Sequence, residues 1–273
     1  MLTLVEARSN QGALLSLPLQ DISNGLVLAN VDGLDPVKAT IVSSSFAQQD
    51  GSQYQSSRRE SRNVVLTIDL EPDWSLTTVS DLRARLYAFF MPKSAVKLTC
   101  YTSDGLNVDV SGRVESLETT LFAQDPSVTI SIICFDPDFV DPDNQVMNGH
   151  SVSDTTRTLV PYLGSVETGV VINLHVNRAL PAFSIYHVPP DATLRQLDFA
   201  GDLIAGDVFS ISTMPGNKYA TRLRGGVSSS LLYGISPQSI GPLLAPGDNY
   251  IRVYATGAAV PFDLNYLNRY GGL

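Results

Sequence analysis

The chain has 273 residues and a formal net charge of −9, with 44% hydrophobic and 16% charged side chains. At about 150 residues per domain, that length makes one large or two medium domains, either able to bury a core without staples. The acidic balance excludes a general nucleic-acid binder, which needs a basic footprint, and the hydrophobic content excludes a disordered chain. The charge is uneven: residues 1–150 carry 10 basic and 19 acidic side chains, and residues 151–273 carry 8 of each. No uninterrupted apolar run approaches the roughly 18 residues of a membrane span, so no membrane partner is expected. The first residues, MLTLVEARSNQGALLSLPL, place no basic leader ahead of an apolar stretch, so no secretory signal is read there. Cys100 and Cys134 are too few for a disulfide framework and read as buried thiols in a reducing compartment.

In chain order, an apparent strand ending near Val42 leads into a polar stretch, 43–62, SSSFAQQDGSQYQSSRRESR. A loop of that length is uncommon in a compact domain unless it serves a function or is disordered. Arg58, Arg59 and Arg62 cluster in it, inside an otherwise acidic half. Two readings stand: a solvated hairpin tip, or an arm whose arginines pair with acidic groups of a partner subunit. NVVLTIDL, 63–70, follows with Val64, Leu66, Ile68 and Leu70 on one face, as in a half-buried strand. In TVSDLRARLYAFFMP, Val79, Leu82, Leu86 and Phe89 recur at three and four residues, which predicts a helix at about 79–90 packed on a sheet. Thr78 or Ser80 caps it, and Pro92 stops it.

VKLTCY, 96–101, and LNVDVSGRVESLE flank Ser103-Asp104-Gly105, a strong hairpin signal. VTISIICF, 128–135, is the next strand and ends at Asp136-Pro137. Asp136, Asp138, Asp141 and Asp143 put four carboxylates in DPDFVDPDN. The run lacks the central glycine of a helix–loop–helix calcium loop, and Met147 stands where its bidentate glutamate belongs, so a structural turn is favoured over a weak cation site. The following stretch, rich in Pro, Asp, Asn, Ser, Thr and Gly, reads as turns and a linker at 146–168.

Short strands then recur roughly every 8–12 residues: GVVINLHVN, AFSIYHV, LRQLDF, DVFSIST, KYATRLR, NYIRVYAT and PFDLNYL. They predict a second, all-β domain at 169–273, a sandwich or jelly roll. The first domain, 1–145, is predicted as a β-sandwich or barrel-like unit with one helix. The fold class is therefore mainly β.

Searching for chemistry finds no nucleophile elbow, phosphate loop, dinucleotide fingerprint or H-E-x-x-H. His150, His175 and His187 are scattered and read as structural, and no serine–histidine–aspartate constellation is located by a linear sequence. No catalytic, cofactor or metal site is assigned. Tyr186, Tyr219 and Tyr233, together with Phe183, Tyr250 and Tyr254, are aromatics of the second domain suited to stacking on sugars.

The order of these motifs resembles the siphophage distal tail protein (Dit) family. VDGLDPVKATIV, the insertion with Asp50-Gly51 and Arg58, Arg59 and Arg62, and NVVLTIDL are similar to its start. SDLRARLYAFFMP, VKLTCY, the SDG turn, VSGRVESLE and TISIICFDPDF continue it. AGDVFSIST, LLAPGDNYIRV and the ending NYLNRYGGL resemble its distal half, so the likeness spans nearly the whole chain. The resemblance implies a non-enzymatic virion protein at the tip of a long non-contractile tail, assembled in the host cytoplasm. It implies a homo-oligomeric ring, usually a hexamer, built by the N-terminal domain between the major tail tube protein and the tail hub. It also implies an outward galectin-like C-terminal sandwich that supports receptor-binding proteins or, as the alternative function, touches host-surface glycans. DNA would pass through the ring channel without specific binding. The scarcity of long insertions in the second domain sets this chain apart from members with an extra arm.

Overall fold

Alternating apolar and polar residues put strands along most of this chain. The computed structural model describes residues 1–19, 21–47, 50–120 and 124–273. Two units separate: Met1–Pro142 with Tyr270–Leu273, and Asp143–Arg269.

Unit 1 comprises β1 (Leu2–Ser9), β2 (Leu14–Pro18), β3 (Leu26–Asp32), β4 (Ala39–Ser44), β5 (Gln53–Arg59), β6 (Arg62–Leu70), α1 (Val79–Phe90), β7 (Ala95–Thr102), β8 (Asn107–Thr119), β9 (Ser127–Cys134) and β10 (Phe139–Val140). Its main sheet runs β2-β1-β7-β8-β9-β6-β3, antiparallel at each step, with β10 beside β8. Its two edges meet at a parallel bridge between Leu19 and Leu28, so the sheet curls toward closure as a barrel does. Val64, Leu66, Ile68 and Leu70 of β6 are all buried, as their alternation predicts. The Asp104-Gly105 turn joins β7 to β8, with Gly105 at φ +86°.

α1 begins at a capping box. The Asp81 amide donates to Thr78 Oγ1 at 3.3 Å, and the Thr78 amide donates to Asp81 Oδ2 at 2.9 Å. Pro92 follows an extended Met91 and prevents continuation. Leu82, Leu86 and Phe90 form the buried stripe, each contributing about 1.5–3 kcal/mol on burial. Phe89, expected in that stripe, is only half-buried, because residues four apart (82, 86, 90) share the face that meets the core.

Unit 2 comprises β11 (Gln145–His150), β12 (Thr158–Tyr162), β13 (Thr168–Gly169), β14 (Val171–His175), β15 (Leu180–Val188), β16 (Arg195–Leu203), β17 (Val208–Ser212), β18 (Tyr219–Arg224), β19 (Val227–Ser230), β20 (Leu243–Leu244), β21 (Gly247–Tyr254) and β22 (Pro261–Tyr266). A six-stranded sheet, β11-β22-β14-β17-β18-β19, and a four-stranded sheet, β12-β21-β15-β16, enclose one core. Phe209 of β17 crosses it to meet Phe199 and Phe183 at ring-centroid distances of 4.5 and 5.5 Å. This is the β-sandwich of the sequence expectation.

Three boundaries differ from those read in the sequence. The polar stretch 43–62 holds the end of β4, all of β5 and the first residue of β6, and β4 and β5 pair as a separate two-stranded sheet from Ala39↔Arg59 to Ser44↔Gln53, the hairpin of the first reading. Residues 146–168 are not a linker, because β11 pairs with β22 and β12 with β21. Those partners lie about a hundred residues away, and β12 keeps Pro161 because it is an edge strand. Finally, residues 270–273 leave the second unit for the first, where Tyr270 and Leu273 pack on its core and the Leu273 amide donates to the Leu34 carbonyl at 3.0 Å.

Candidate functional site

The arginine cluster separates into three environments. Arg58 lies on β5 opposite Thr40 and is exposed. Arg59 forms a two-pronged ion pair with Asp138, with Nη2 2.9 Å from Oδ2. Arg62 is 1% exposed and lies inside unit 1. Its Nε donates to the Pro137 carbonyl at 2.7 Å, its Nη1 to the Asp35 carbonyl at 2.7 Å and the Gly33 carbonyl at 2.5 Å, and its Nη2 to the Gly271 carbonyl at 2.6 Å. Its guanidinium stacks 4.2 Å from the Phe139 ring centroid. Burial draws its pKa below the ordinary value, while Cys134 and Asp138 pull the other way. Arg62 is therefore corrected from interface candidate to internal clamp: it is buried within its own unit, where four carbonyls from three chain segments converge on it.

The β4–β5 hairpin is the exposed element near these arginines. Every β5 residue is exposed, and Ile41, Val42, Phe46 and Tyr54 present apolar area to solvent. Gln48 and Gln49 lie outside the described residues. A lone two-stranded hairpin is marginal by itself. Here it is tied at its base by Arg59–Asp138, by the Glu60 amide on the Lys38 carbonyl at 3.0 Å, and by Thr40 Oγ1 on Glu60.

The aspartates of 136–143 act as turn and base. Asp136 Oδ1 accepts the Asp138 amide at 3.2 Å, and Asp138 holds Arg59. Among the described residues no group of three or more His, Cys, Asp or Glu is placed to hold a metal. Cys100 and Cys134 are buried and free, and burial pushes their thiols up to about 12 and about 11. In unit 1, the acidic residues with buried side chains are Asp109 and Asp138, each facing a cation, Lys97 at 2.5 Å and Arg59.

His175 and His187 of unit 2 lie on different sheets. His175, on the six-stranded sheet, meets Asp263 at 2.6 Å. His187, on the four-stranded sheet, is fully buried, with Nε2 3.0 Å from Asn249 Oδ1. Burial lowers the His187 pKa, so the ring is neutral and donates through Nε2.

The three tyrosines do not line one cleft. Tyr186 lies beneath Arg252, whose guanidinium is 4.1 Å from its ring centroid. Tyr219 lines an apolar cleft of about 300 Å³ with Leu197, Ile211 and Leu232. Tyr233 is 83% exposed on a short turn, Leu232–Gly234, and lines a different cleft of about 500 Å³. Phe183 is buried against Phe199 at 5.1 Å and is no surface aromatic.

The larger cleft contains residues that sequence alone left unmarked. Ala182 and Ser184 of β15, Asp198 and Ala200 of β16, and Tyr254 of β21 line it from the outward positions of the four-stranded sheet. Residues 231–243 form a strap along β16. The Ser236 amide donates to the Asp198 carbonyl at 3.0 Å, the Ile240 amide to the Gln196 carbonyl at 2.8 Å, and the Asp198 amide to Ser239 Oγ at 2.9 Å. The signal was the outward phase of each strand, but which outward residues meet depends on register.

The chain matches no protein-family model, and no curated protein matches it in sequence. Among solved structures, the Dit protein of phage SPP1 shares its fold, with a TM-score of 0.68 over 97% of this chain and 98% of that one, at 16% identity. That protein is described as a paradigm of the hub adsorption apparatus in phages infecting Gram-positive bacteria. Chains of the phage P2 baseplate in its activated conformation align more loosely. The calcium form has a TM-score of 0.48 at 8% identity and covers 100% of both chains; the strontium form has 0.45 at 9% and covers 96% and 97%. Those two likenesses are too distant to carry weight.

Proposed function

We propose that this chain is a structural, non-enzymatic protein of the distal tail of a long-tailed, non-contractile phage. One observation carries the proposal: both units, in order and nearly end to end, share the fold of SPP1 Dit, a hub protein. In this reading unit 1 builds a homo-oligomeric ring, a hexamer, between the tail tube and the tail-tip hub. Unit 2 supports host-recognition components. The protein works in the virion after assembly in the host cytoplasm.

Physical chemistry supports the ring. A closed ring joins two different faces of each subunit, and those faces favour orderable edges with few charges to desolvate. The β4–β5 hairpin supplies such an edge, because its backbone is paired while Ile41, Phe46 and Tyr54 remain exposed. Arg58 is its free-standing cation, whereas Arg59 already serves Asp138. The acidic excess of the first half would line the channel and repel passing DNA without any binding site.

Native mass spectrometry and negative-stain imaging of the purified chain test this. Six-fold rings are expected. Arg58→Glu combined with Ile41→Glu should raise the protomer concentration needed for half-assembly by about tenfold or more, the effect of losing roughly 1.4 kcal/mol. A monomer at every concentration overturns the ring, and unchanged rings in the double variant remove the hairpin from the interface.

A further inference from the structure

We infer that residues 270–273 are a latch on the legs of the β4–β5 hairpin, so that opening the latch loosens the hairpin while the rest of unit 1 stays folded. The inference does not rest on the tail reading: it concerns a single protomer and is read by hydrogen exchange, not by assembly.

The hairpin joins the main sheet through two legs, 33–38 ahead of β4 and 60–61 after β5. Both meet at Arg62. Its Nη1 donates to the Gly33 and Asp35 carbonyls of the entering leg, and Arg62 itself opens β6 directly after the leaving leg. A Cβ on Gly33 would overlap the Asn63 carbonyl oxygen, so the entering leg lies against β6.

The latch closes on the same point. The Gly271 carbonyl accepts from Arg62 Nη2 at 2.6 Å, and the Leu273 amide donates to the Leu34 carbonyl at 3.0 Å. A Cβ on Gly272 would lie 2.7 Å from Pro36 Cδ and 2.8 Å from the Pro36 nitrogen, so latch and entering leg pack closely. Arg62 Nε is held by the Pro137 carbonyl, next to Asp138, which pairs with Arg59 at the end of β5. The chain passes through unit 2 between Pro137-Asp138 and the latch, so both sides of that excursion are tied to the hairpin's root.

The latch is the weakest part of this knot. Tyr270 and Leu273 are only partly buried, whereas the inward residues of β6 are fully so. Gly271 and Gly272 lose more freedom on ordering than any other residue type. A segment with few buried contacts opens locally, without global unfolding. Opening takes an acceptor from Arg62 Nη2, and a buried guanidinium left with an unmet donor shifts or draws in water. Either response disturbs its bonds to Gly33 and Asp35, while Leu34 and Pro36 lose their cover. The Glu60–Lys38 backbone bond and the Arg59–Asp138 pair remain, so the hairpin stays paired as its legs come free.

Hydrogen exchange of the full chain, followed by mass spectrometry, tests this. Gly272→Val drives a branched side chain into Pro36, and Leu273→Ala removes the latch's apolar end. Peptides covering 33–44 and 53–60 should exchange about tenfold faster in the first variant and about twofold faster in the second, with α1 unchanged. Coupling is reciprocal, so Arg59→Gln at the hairpin's root should speed exchange at 270–273. Thermal unfolding checks that each variant folds, and the two latch variants decide the matter if Arg59→Gln does not. Unchanged protection of the hairpin peptides in both latch variants overturns the inference. So does equal acceleration in α1, which would mean general loosening of unit 1.

Discussion

The β4–β5 hairpin of unit 1 and the strap 231–243 of unit 2 are both excursions from a sheet, and both leave large side chains in solvent. They differ in what satisfies their backbones. The hairpin pairs with itself and touches its unit mainly through its base at Arg59 and Glu60. The strap is bonded step by step to β16, through Ser236, Ser239 and Ile240. A self-paired element keeps its register but is free to settle against a large surface, which suits assembly between subunits. A seated element holds one side chain, Tyr233, at a fixed place above a cleft, which suits a small ligand.

The largest effect that bears on this contrast is at the hairpin's root. Arg62→Met should destabilise unit 1 by about 3–5 kcal/mol, because four carbonyls from three chain segments lose their shared donor at once. Urea unfolding measures it. A loss below about 1 kcal/mol would mean that Arg62 is not the clamp beneath the hairpin. Gly234→Ala comes next, at about 1–3 kcal/mol, since its Cβ would meet the Phe199 ring and the Ala200 backbone. Gly51→Ala, at the hairpin, should cost about 1 kcal/mol, because a φ of +92° strains an L-residue while nothing among the described residues lies within 4 Å of the added carbon. Equal costs at the two glycines would erase the distinction between a seated and a free element.

The smallest effect is a pH dependence below the strap. Asn249 Oδ1 receives the His187 Nε2 proton, and Asn249 also holds Ala245 and Gly247 in the turn that follows the strap. Burial depresses the folded pKa of His187 below its ordinary 6.5. The unfolded chain therefore takes up the proton first, and this contribution to stability is complete above about 6.5 and is lost as pH falls from there through the lower folded value. His187→Gln should flatten the stability profile between pH 7 and 5, measured by urea midpoints. An unaltered slope would place that acid sensitivity elsewhere.

Much of the fold was legible locally. The β6 alternation, the Thr78 cap, the Pro92 stop and the Asp-Gly turn each depend on residues a few positions apart, and each appears where the sequence puts it. The elements that escaped are those made by distant partners. β11 has few β-branched residues and exists because β22 accepts it, and β12 exists despite Pro161 because it is an edge. The candidate sites follow the same division. Tyr233 and Tyr254 stood in the sequence only as two of the second domain's aromatics, while Ser184, Asp198 and Tyr254 come together in one cleft only through the registers of β15, β16 and β21. The arginines show the sharpest case. Composition grouped Arg58, Arg59 and Arg62, and tertiary structure gave them three fates.

By itself, the sequence determined the β class, the helix with its cap and stop, the acidic first half and the sandwich of the second. Those properties are set by periodicity, capping chemistry and charge, all of which act over short range. Only the tertiary structure decided that residues 270–273 return to unit 1 and that Arg62 is buried. The reason is physical: a buried cation needs acceptors, and Gly33, Asp35, Pro137 and Gly271 meet around it only after the chain has closed on itself.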